Sequence, residues 1–274
     1  MHEATVAETA AKRICRPAKP TVPCGERREC VPGDAGAMAL FQPFPTEGPL
    51  FENLDLPKRE LERLIGGLSG KVRSYKMISV SPDDIGQLQQ HGSGPNFQGG
   101  CLTLCTCRHE IRAEKVNPQD WRGWWFAGFT NPKNCGRLWL FYLARMERVY
   151  ASQAELWEAL PSDVRRAKNA RDNRLGDVYQ PNPASPCVDP WDAAHYFPPL
   201  VGHSHHETAT DDGWKKDIEF FHSKFQRRAP YLVAKPDLTF LWQTPMLYLD
   251  EHPRNLTWDN VKALLLKLKI DNGD

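Results

Sequence analysis

The chain has no hydrophobic run long enough to cross a membrane, no apolar export segment near its start and no charge bias. Its longest strongly apolar stretch, Leu138 to Ala144, falls far short of the roughly 18–20 residues that a spanning helix needs. A membrane partner is therefore not expected. The first residues, MHEATVAETAAKRICRP, scatter charges where a secretory leader would carry an unbroken apolar run, so a reducing, cytoplasmic setting is expected. There the eight cysteines should be free thiols or metal ligands rather than disulfides. Lys plus Arg number 35 against 34 Asp plus Glu, so attraction to a polyanion must come from local clusters. Cys15, Cys24 and Cys30 lack the paired spacing of common zinc modules, and no H-E-x-x-H motif is present. The composition points to no particular cofactor.

Proline and tryptophan are plentiful, with 23 and 9 residues, which favours an aromatic-rich, loop-heavy globular protein over a helical bundle. Residues 1–48 hold Pro17, Pro20, Pro23, Pro32, Pro43 and Pro45 without sustained periodicity and read as a loosely ordered extension. Residues 49–70 follow as a lead-in segment, in which Leu61, Leu64, Ile65 and Leu68 share one helical face. The main domain is expected over 71–274. It starts with a strand in VRSYKMISV and a helical turn after Ser81. RLWLFYLARMERV, apolar on both faces, predicts a central strand, and Ser152-Gln153-Ala154-Glu155 is a capping box opening a short helix that Pro161 ends. Lys215 to Phe225 suits a short helix, and YLVAKPDLTFLWQ predicts a strand or hairpin broken at Pro236. A final helix with Thr257 as N-cap should dock its stripe of Trp258, Val261, Leu264, Leu265 and Leu268 on the sheet.

The densest chemistry lies in GPNFQGGCLTLCTCRHEIR, from Gly94 to Arg112. Read as a strand, it sends Cys101, Thr103, Cys105, Cys107 and His109 to one face and Leu102 and Leu104 to the other. The plainest account of the thiols is packing, since free cysteines behave as small hydrophobes. A metal is the weaker alternative: alternate strand positions lie about 6.6 Å apart, so Cys105 and Cys107 would need distant ligands such as Cys135, Cys187, His205 or His206. A third reading makes Cys107 a nucleophile whose thiol pKa is lowered by Arg108 and Arg112, with His109 as general acid or base. Downstream, Trp121, Trp124 and Trp125 could stack a nucleobase or simply fill the core. The basic segment with Arg165, Arg166, Lys168, Arg171 and Arg174 reads as a solvated loop or a phosphate-binding one.

From about Ser74 to Asp250 the chain resembles a nucleotide-modification-associated domain family, the second type of that name, found among prokaryotic and phage proteins. The resemblance runs through Ser74-Tyr75, Pro95-Asn96, Gly100, Thr103-Leu104, Cys107-Arg108, Ile111-Arg112 and Asp120-Trp121. It continues through Trp157, Gly176-Asp177 with Tyr179, and His205-His206. The family pattern has a cysteine where this chain has Leu102, and an asparagine between Asp177 and Tyr179 where this chain has Val178. The resemblance implies association with pathways that make, recognise or process modified bases in DNA. A weaker likeness, at the level of fold, is to the small barrels of the pseudouridine-synthase-and-archaeosine-transglycosylase-like superfamily.

Together these readings predict an α+β fold: a small mixed, mostly antiparallel sheet or partly closed barrel with flanking helices. They also predict a nucleic-acid or nucleotide partner. Trp121, Trp124 or Trp125 would stack the base, with Asn96, Thr103, Asp120, Asp177 and Tyr179 around its edge. Arg108, Arg112, Arg165, Arg166 and Arg171 would hold phosphates. The alternatives are an enzyme acting on a base or nucleotide through Cys107 or His109, and a protein-interaction module of a DNA-modification or defence system.

Overall fold

The computed structural model describes residues 41–203, 212–251 and 256–271. Eight α-helices occur among them: α1 (Gly48–Glu52), α2 (Lys58–Ile65), α3 (His109–Arg112), α4 (Pro132–Cys135), α5 (Gln153–Ala159), α6 (Ser162–Lys168), α7 (Lys215–Glu219) and α8 (Val261–Lys267). Twelve strands accompany these helices. They are β1 (Val72–Met77), β2 (Val80–Pro82), β3 (Leu88–Gln90), β4 (Thr103–Leu104), β5 (Trp125–Thr130), β6 (Leu138–Tyr150), β7 (Phe221–His222), β8 (Arg227–Arg228), β9 (Tyr231–Leu241), β10 (Leu247–Leu249), β11 (Thr257–Trp258) and β12 (Lys269–Ile270). Eight of these form one open sheet in the order β11-β1-β5-β6-β10-β12, with β9 on β6 and β4 on β9. Only β1 and β5 pair in parallel; the other pairs of this sheet are antiparallel. This is the expected α+β architecture, as an open sheet rather than a barrel. Among the described residues no helix is long and apolar enough to cross a membrane.

β6 is central because it is apolar on both faces. Leu138, Leu140 and Leu143 face one core with Trp125 and Phe240; Trp139, Phe141, Tyr142 and Ala144 face the other with Phe126. Alternation slips at Phe141-Tyr142, where the β5–β6 register shifts between Gly128 and Phe129. The first core is closed by helices α2 (Lys58–Ile65) and α8 (Val261–Lys267), through Leu61 and Ile65 and through Val261, Leu264 and Leu265. The last helix therefore docks on the sheet as its stripe predicts. It starts later than expected, because Asn260 rather than Thr257 caps it by accepting from Ala263 N at 2.8 Å, and Trp258 sits in β11. β9 stays one strand across Pro236 by bulging: Ala144 pairs with Thr239 and Met146 with Ala234, so residues 235–238 stand opposite Arg145 alone.

Two local readings need correction. Ser81-Pro82-Asp83-Asp84 starts no helical turn; it closes the β2–β3 hairpin, with Asp83 Oδ1 accepting from Ile85 N and Gln87 N. The basic segment after Pro161 is helix α6 (Ser162–Lys168) in its first part, not a loop. Helix α5 (Gln153–Ala159) starts at the predicted cap: Ser152 Oγ accepts from Glu155 N at 3.2 Å, while Glu155 Oε2 reaches one residue further back than a capping box requires, to Ala151 N at 2.8 Å. Cys15, Cys24, Cys30, His205 and His206 lie outside the described residues.

Candidate functional site

The Gly94–Arg112 stretch is strand for two residues only, Thr103 and Leu104. Around them the predicted alternation holds, with Cys101 and Cys105 packed beside Leu156, Val178 and Tyr231, and Leu102 and Leu104 in the core under β6. Beyond Cys105 it fails. Arg108 takes a left-handed conformation with φ 55° and His109–Arg112 turns into a short helix, so Cys107 packs toward the opposite core from Cys105.

Arg112 is the cause of that departure. Its guanidinium is fully buried and donates to three backbone carbonyls: Nε to Cys107 O at 2.8 Å, Nη2 to Cys105 O at 2.6 Å, and Nη1 to Pro230 O. A flat five-donor fork can satisfy a folded-back loop in this way, where an ammonium could not. Arg112 therefore pins the loop and is closed to phosphate. Arg108, more exposed, lies 4.5 Å over the Tyr75 ring and donates to Lys76 O.

The thiol expected to be activated is instead suppressed. Burial pushes Cys107 up to about 11, outweighing the lowering by Arg112 and Arg108. Burial thus outweighs the lowering on which the reading of Cys107 as nucleophile relies. Cys105 is raised well above an ordinary thiol, by burial and then by the Asp177 charge. Among the described residues no group of three His, Cys, Asp or Glu could hold a metal ion. His109 Nε2 lies 3.4 Å from Asp217 Oδ1, Tyr179 OH donates to Asp217 Oδ2 at 2.8 Å, and His203 Nε2 is 3.3 Å from the same hydroxyl. His109 and Tyr179 thus belong to one cluster, which pins the helix Lys215–Glu219 (α7) to the 177–179 segment.

The three tryptophans do not form a stacking wall. Trp121 and Trp125 are fully buried on opposite faces of the sheet. Trp124 alone is half-buried, with Lys115 Nζ 3.7 Å above its ring. Asp120 is exposed beside them. Arg165 and Arg171 lie over Trp157 and Phe197, at 5.4 and 4.0 Å, whereas Arg108 lies over Tyr75.

Asn96, Thr103 and Asp177 do come together, around a residue read from sequence as a surface cation. Lys168 is fully buried, and its Nζ donates to Asn96 O at 2.9 Å, Asn96 Oδ1 at 2.8 Å and Thr103 Oγ1 at 3.0 Å. Thr103 Oγ1 passes a hydrogen bond to Asp177 Oδ2 at 2.7 Å. Gly176 makes the approach possible, since a Cβ there would lie 2.6 Å from Lys168 O and 2.7 Å from Ala170 N. Burial raises Asp177 to about 6, against the lowering by Lys168, Thr103, Cys105 and Arg112. Its Oδ1 is buried without a partner in hydrogen-bond geometry, and the Cys105 thiol is among the groups that favour the charged carboxylate.

This network stands behind a groove of about 1090 Å³. Phe41, Phe44, Phe97, Gln98, Arg166 and Asn173 are among its lining residues, together with the acids Glu47, Asp163 and Asp172. Phe44 stacks on Phe97 at 5.3 Å. Gln98 Oε1 accepts from Asn96 Nδ2 at 3.1 Å and from Asn173 Nδ2 at 2.7 Å. Its amide nitrogen has no protein partner among the described residues and remains as a donor. Of the predicted residues Arg166 lines the groove, while Asn96 and Asp177 support its floor from behind. Phe41, Phe44, Gln98 and Asn173 were not foreseen, since no motif marks them and they meet only through the packing of α6 against 98–100. In comparisons with known proteins the chain matches no family model, no curated protein and no solved structure.

Proposed function

We propose that the protein recognises a nucleobase, as a nucleotide or within a nucleic-acid strand, by seating it in the groove between Phe41-Phe44 and helix α6. The convergence of three kinds of group on one hollow carries this reading. Phe41, 37% exposed, and half-buried Phe44 offer aromatic surface for stacking. Gln98 offers an amide donor to a base edge, and exposed Arg166 a guanidinium for a phosphate. The groove volume is of the order of known small-molecule sites. Its floor is rigid, because Gln98 and Asn173 are tied through Asn96 to the buried Lys168. Modified bases are the class to try first, given the resemblance in residues 74–250.

The test is a calorimetric titration with canonical and modified mononucleotides. Arg166→Gln and Phe41→Ala, both at exposed side chains, should each weaken nucleotide binding by about tenfold, roughly 1.4 kcal/mol, while leaving the melting temperature within a degree or two. No measurable affinity for any base, nucleoside or nucleotide at millimolar concentration, or affinity indifferent to both changes, would overturn the proposal.

A further inference from the structure

A second polar hollow, of about 210 Å³, opens where the bulge in β9 faces β6, and Arg122, Gly123, Arg145, Met146, Glu147 and Lys235 line it. Three cations from separate parts of the chain meet here. Arg122 stands just before β5, Arg145 lies on β6 opposite Trp125, and Lys235 follows Ala234, which pairs with Met146. Their backbones are fixed to one another: Gly123 N donates to Met146 O and Met146 N to Trp124 O, each at 2.8 Å. Gly123 has φ +79°, and a Cβ there would lie 3.6 Å from Arg145 Nη2, so the guanidinium passes directly over this turn.

Surface cations are ordinarily neutralised by a neighbouring carboxylate or dispersed in solvent. The first does not hold for this group, and Arg145 and Lys235 are only half-exposed. Among the described residues, none of the three lies within ion-pair distance of a carboxylate. Arg145 has only a long hydrogen bond, 3.5 Å, from Nε to Gly123 O. Glu147 is the one acid on the rim, which leaves the lining positive. Further positive charge stands alongside: Lys71 and Lys115 lie 5.8 and 3.7 Å over the ring of Trp124, the residue between Gly123 and β5. The Lys115 ammonium is pushed down by burial and then by the Lys71 charge, against the raising effect of Glu114 and Asp120. Negative charge therefore stands beside Lys115, whereas the lining of the hollow itself sets three cations against Glu147 alone.

We infer that this hollow is a seat for a phosphate-type oxyanion, gripped by Arg122, Arg145 and Lys235, and that its ligand is the phosphodiester backbone of a nucleic-acid strand. The oxyanion chemistry follows from the three cations on their own. The choice of a nucleic-acid backbone over a free polyphosphate rests on the nucleobase reading above. Planar guanidinium groups engage phosphate oxygens in pairs, and a half-buried lysine adds a point charge. Contacts of this kind give affinity that does not depend on sequence and falls with salt.

The experiment compares wild type, the double variant Arg145→Gln/Lys235→Gln and Glu147→Gln, using inorganic tripolyphosphate and a twelve-nucleotide single-stranded oligonucleotide as probes. The double variant should bind both probes at least tenfold more weakly, and its log Kd against log salt for the oligonucleotide should flatten by about one to two contacts. Glu147→Gln should tighten both, a change of sign that damaged folding would not produce. Mononucleotide binding in the groove should be untouched by the double variant; a wild type that binds tripolyphosphate and the oligonucleotide as expected but shows no affinity for bases or nucleosides in the groove would sink the nucleobase reading and leave the oxyanion seat standing. Tripolyphosphate weakened without any change in oligonucleotide binding would overturn the strand as ligand. Equal affinity of all three proteins for both probes would overturn the site.

Discussion

Replacing Arg112 by alanine is expected to remove on the order of 4–6 kcal/mol of stability, from two or three buried carbonyls left without donors at about 1–3 kcal/mol each plus the cavity left by the side chain. Small native proteins have only about 5–15 kcal/mol in hand, so the variant should be largely unfolded or insoluble. The carbonyls at risk are those of Cys105, Cys107 and Pro230, all served by the one guanidinium. The same group lies 5.5 Å from the Tyr231 ring, and Arg112 O accepts from Trp121 Nε1 at 2.8 Å, so the damage would reach two cores. Arg112→Lys should lose less, because an ammonium keeps the charge and reaches one carbonyl or two, though without the planar fork. Urea midpoints of the three proteins decide the matter. An Arg112→Ala unfolding free energy within about 1 kcal/mol of wild type would show that the loop holds without its pin. For the same reason, loss of nucleic-acid binding in this variant would report unfolding and not a missing phosphate contact.

Regular elements were legible wherever one face of the pattern met one core. β6, the Ser152 cap of α5 and the apolar stripes of α2 and α8 depend on local periodicity and cap chemistry, which need no knowledge of distant partners. Reading broke down where a side chain takes a role opposite to its type. Lys168 and Arg112 are charged and therefore read as solvated or ligand-facing, yet both are fully buried because backbone and side-chain acceptors from residues far along the chain surround them. The tryptophan run misled in the complementary way. A strand alternates its faces, so consecutive aromatics such as Trp125 and Phe126 must separate into different cores and cannot share a ligand surface. Asn96, Thr103 and Asp177 stand together, but around a lysine hidden in a basic segment that reads from the sequence as loop. Arg122, Arg145 and Lys235 carried no signal at all, since only the bulge of β9 against β6 brings them to one place.

Asp177 should impose a pH dependence that runs against the usual behaviour of carboxylates. In the unfolded chain it releases its proton near 3.8, whereas burial in the fold holds the proton until about pH 6. Between those values the folded chain binds a proton that the unfolded chain has lost, so each rise in pH favours unfolding. The stabilisation is complete below about pH 4 and gone above about pH 6, with a full amplitude of about 3 kcal/mol. Asp177→Asn cannot titrate. The difference in unfolding free energy between wild type and Asp177→Asn should therefore drift by about 2–3 kcal/mol between pH 4 and pH 7, wild type losing ground as pH rises. A difference that stays constant over that window would place the carboxylate in the ordinary range and remove the argument. Lys168→Met then tests the source of the compensation. The Lys168 charge is the largest of the effects lowering the Asp177 pKa, so removing it should move the upper end of the window above pH 6. The charge on Asp177 at neutral pH thus depends on the buried ammonium that also anchors Asn96, and through Asn96 and Gln98 the floor of the groove. If the groove binds as proposed, nucleotide affinity should be weakened in Lys168→Met even though Lys168 touches no ligand, and rigidity of the floor is the property being measured.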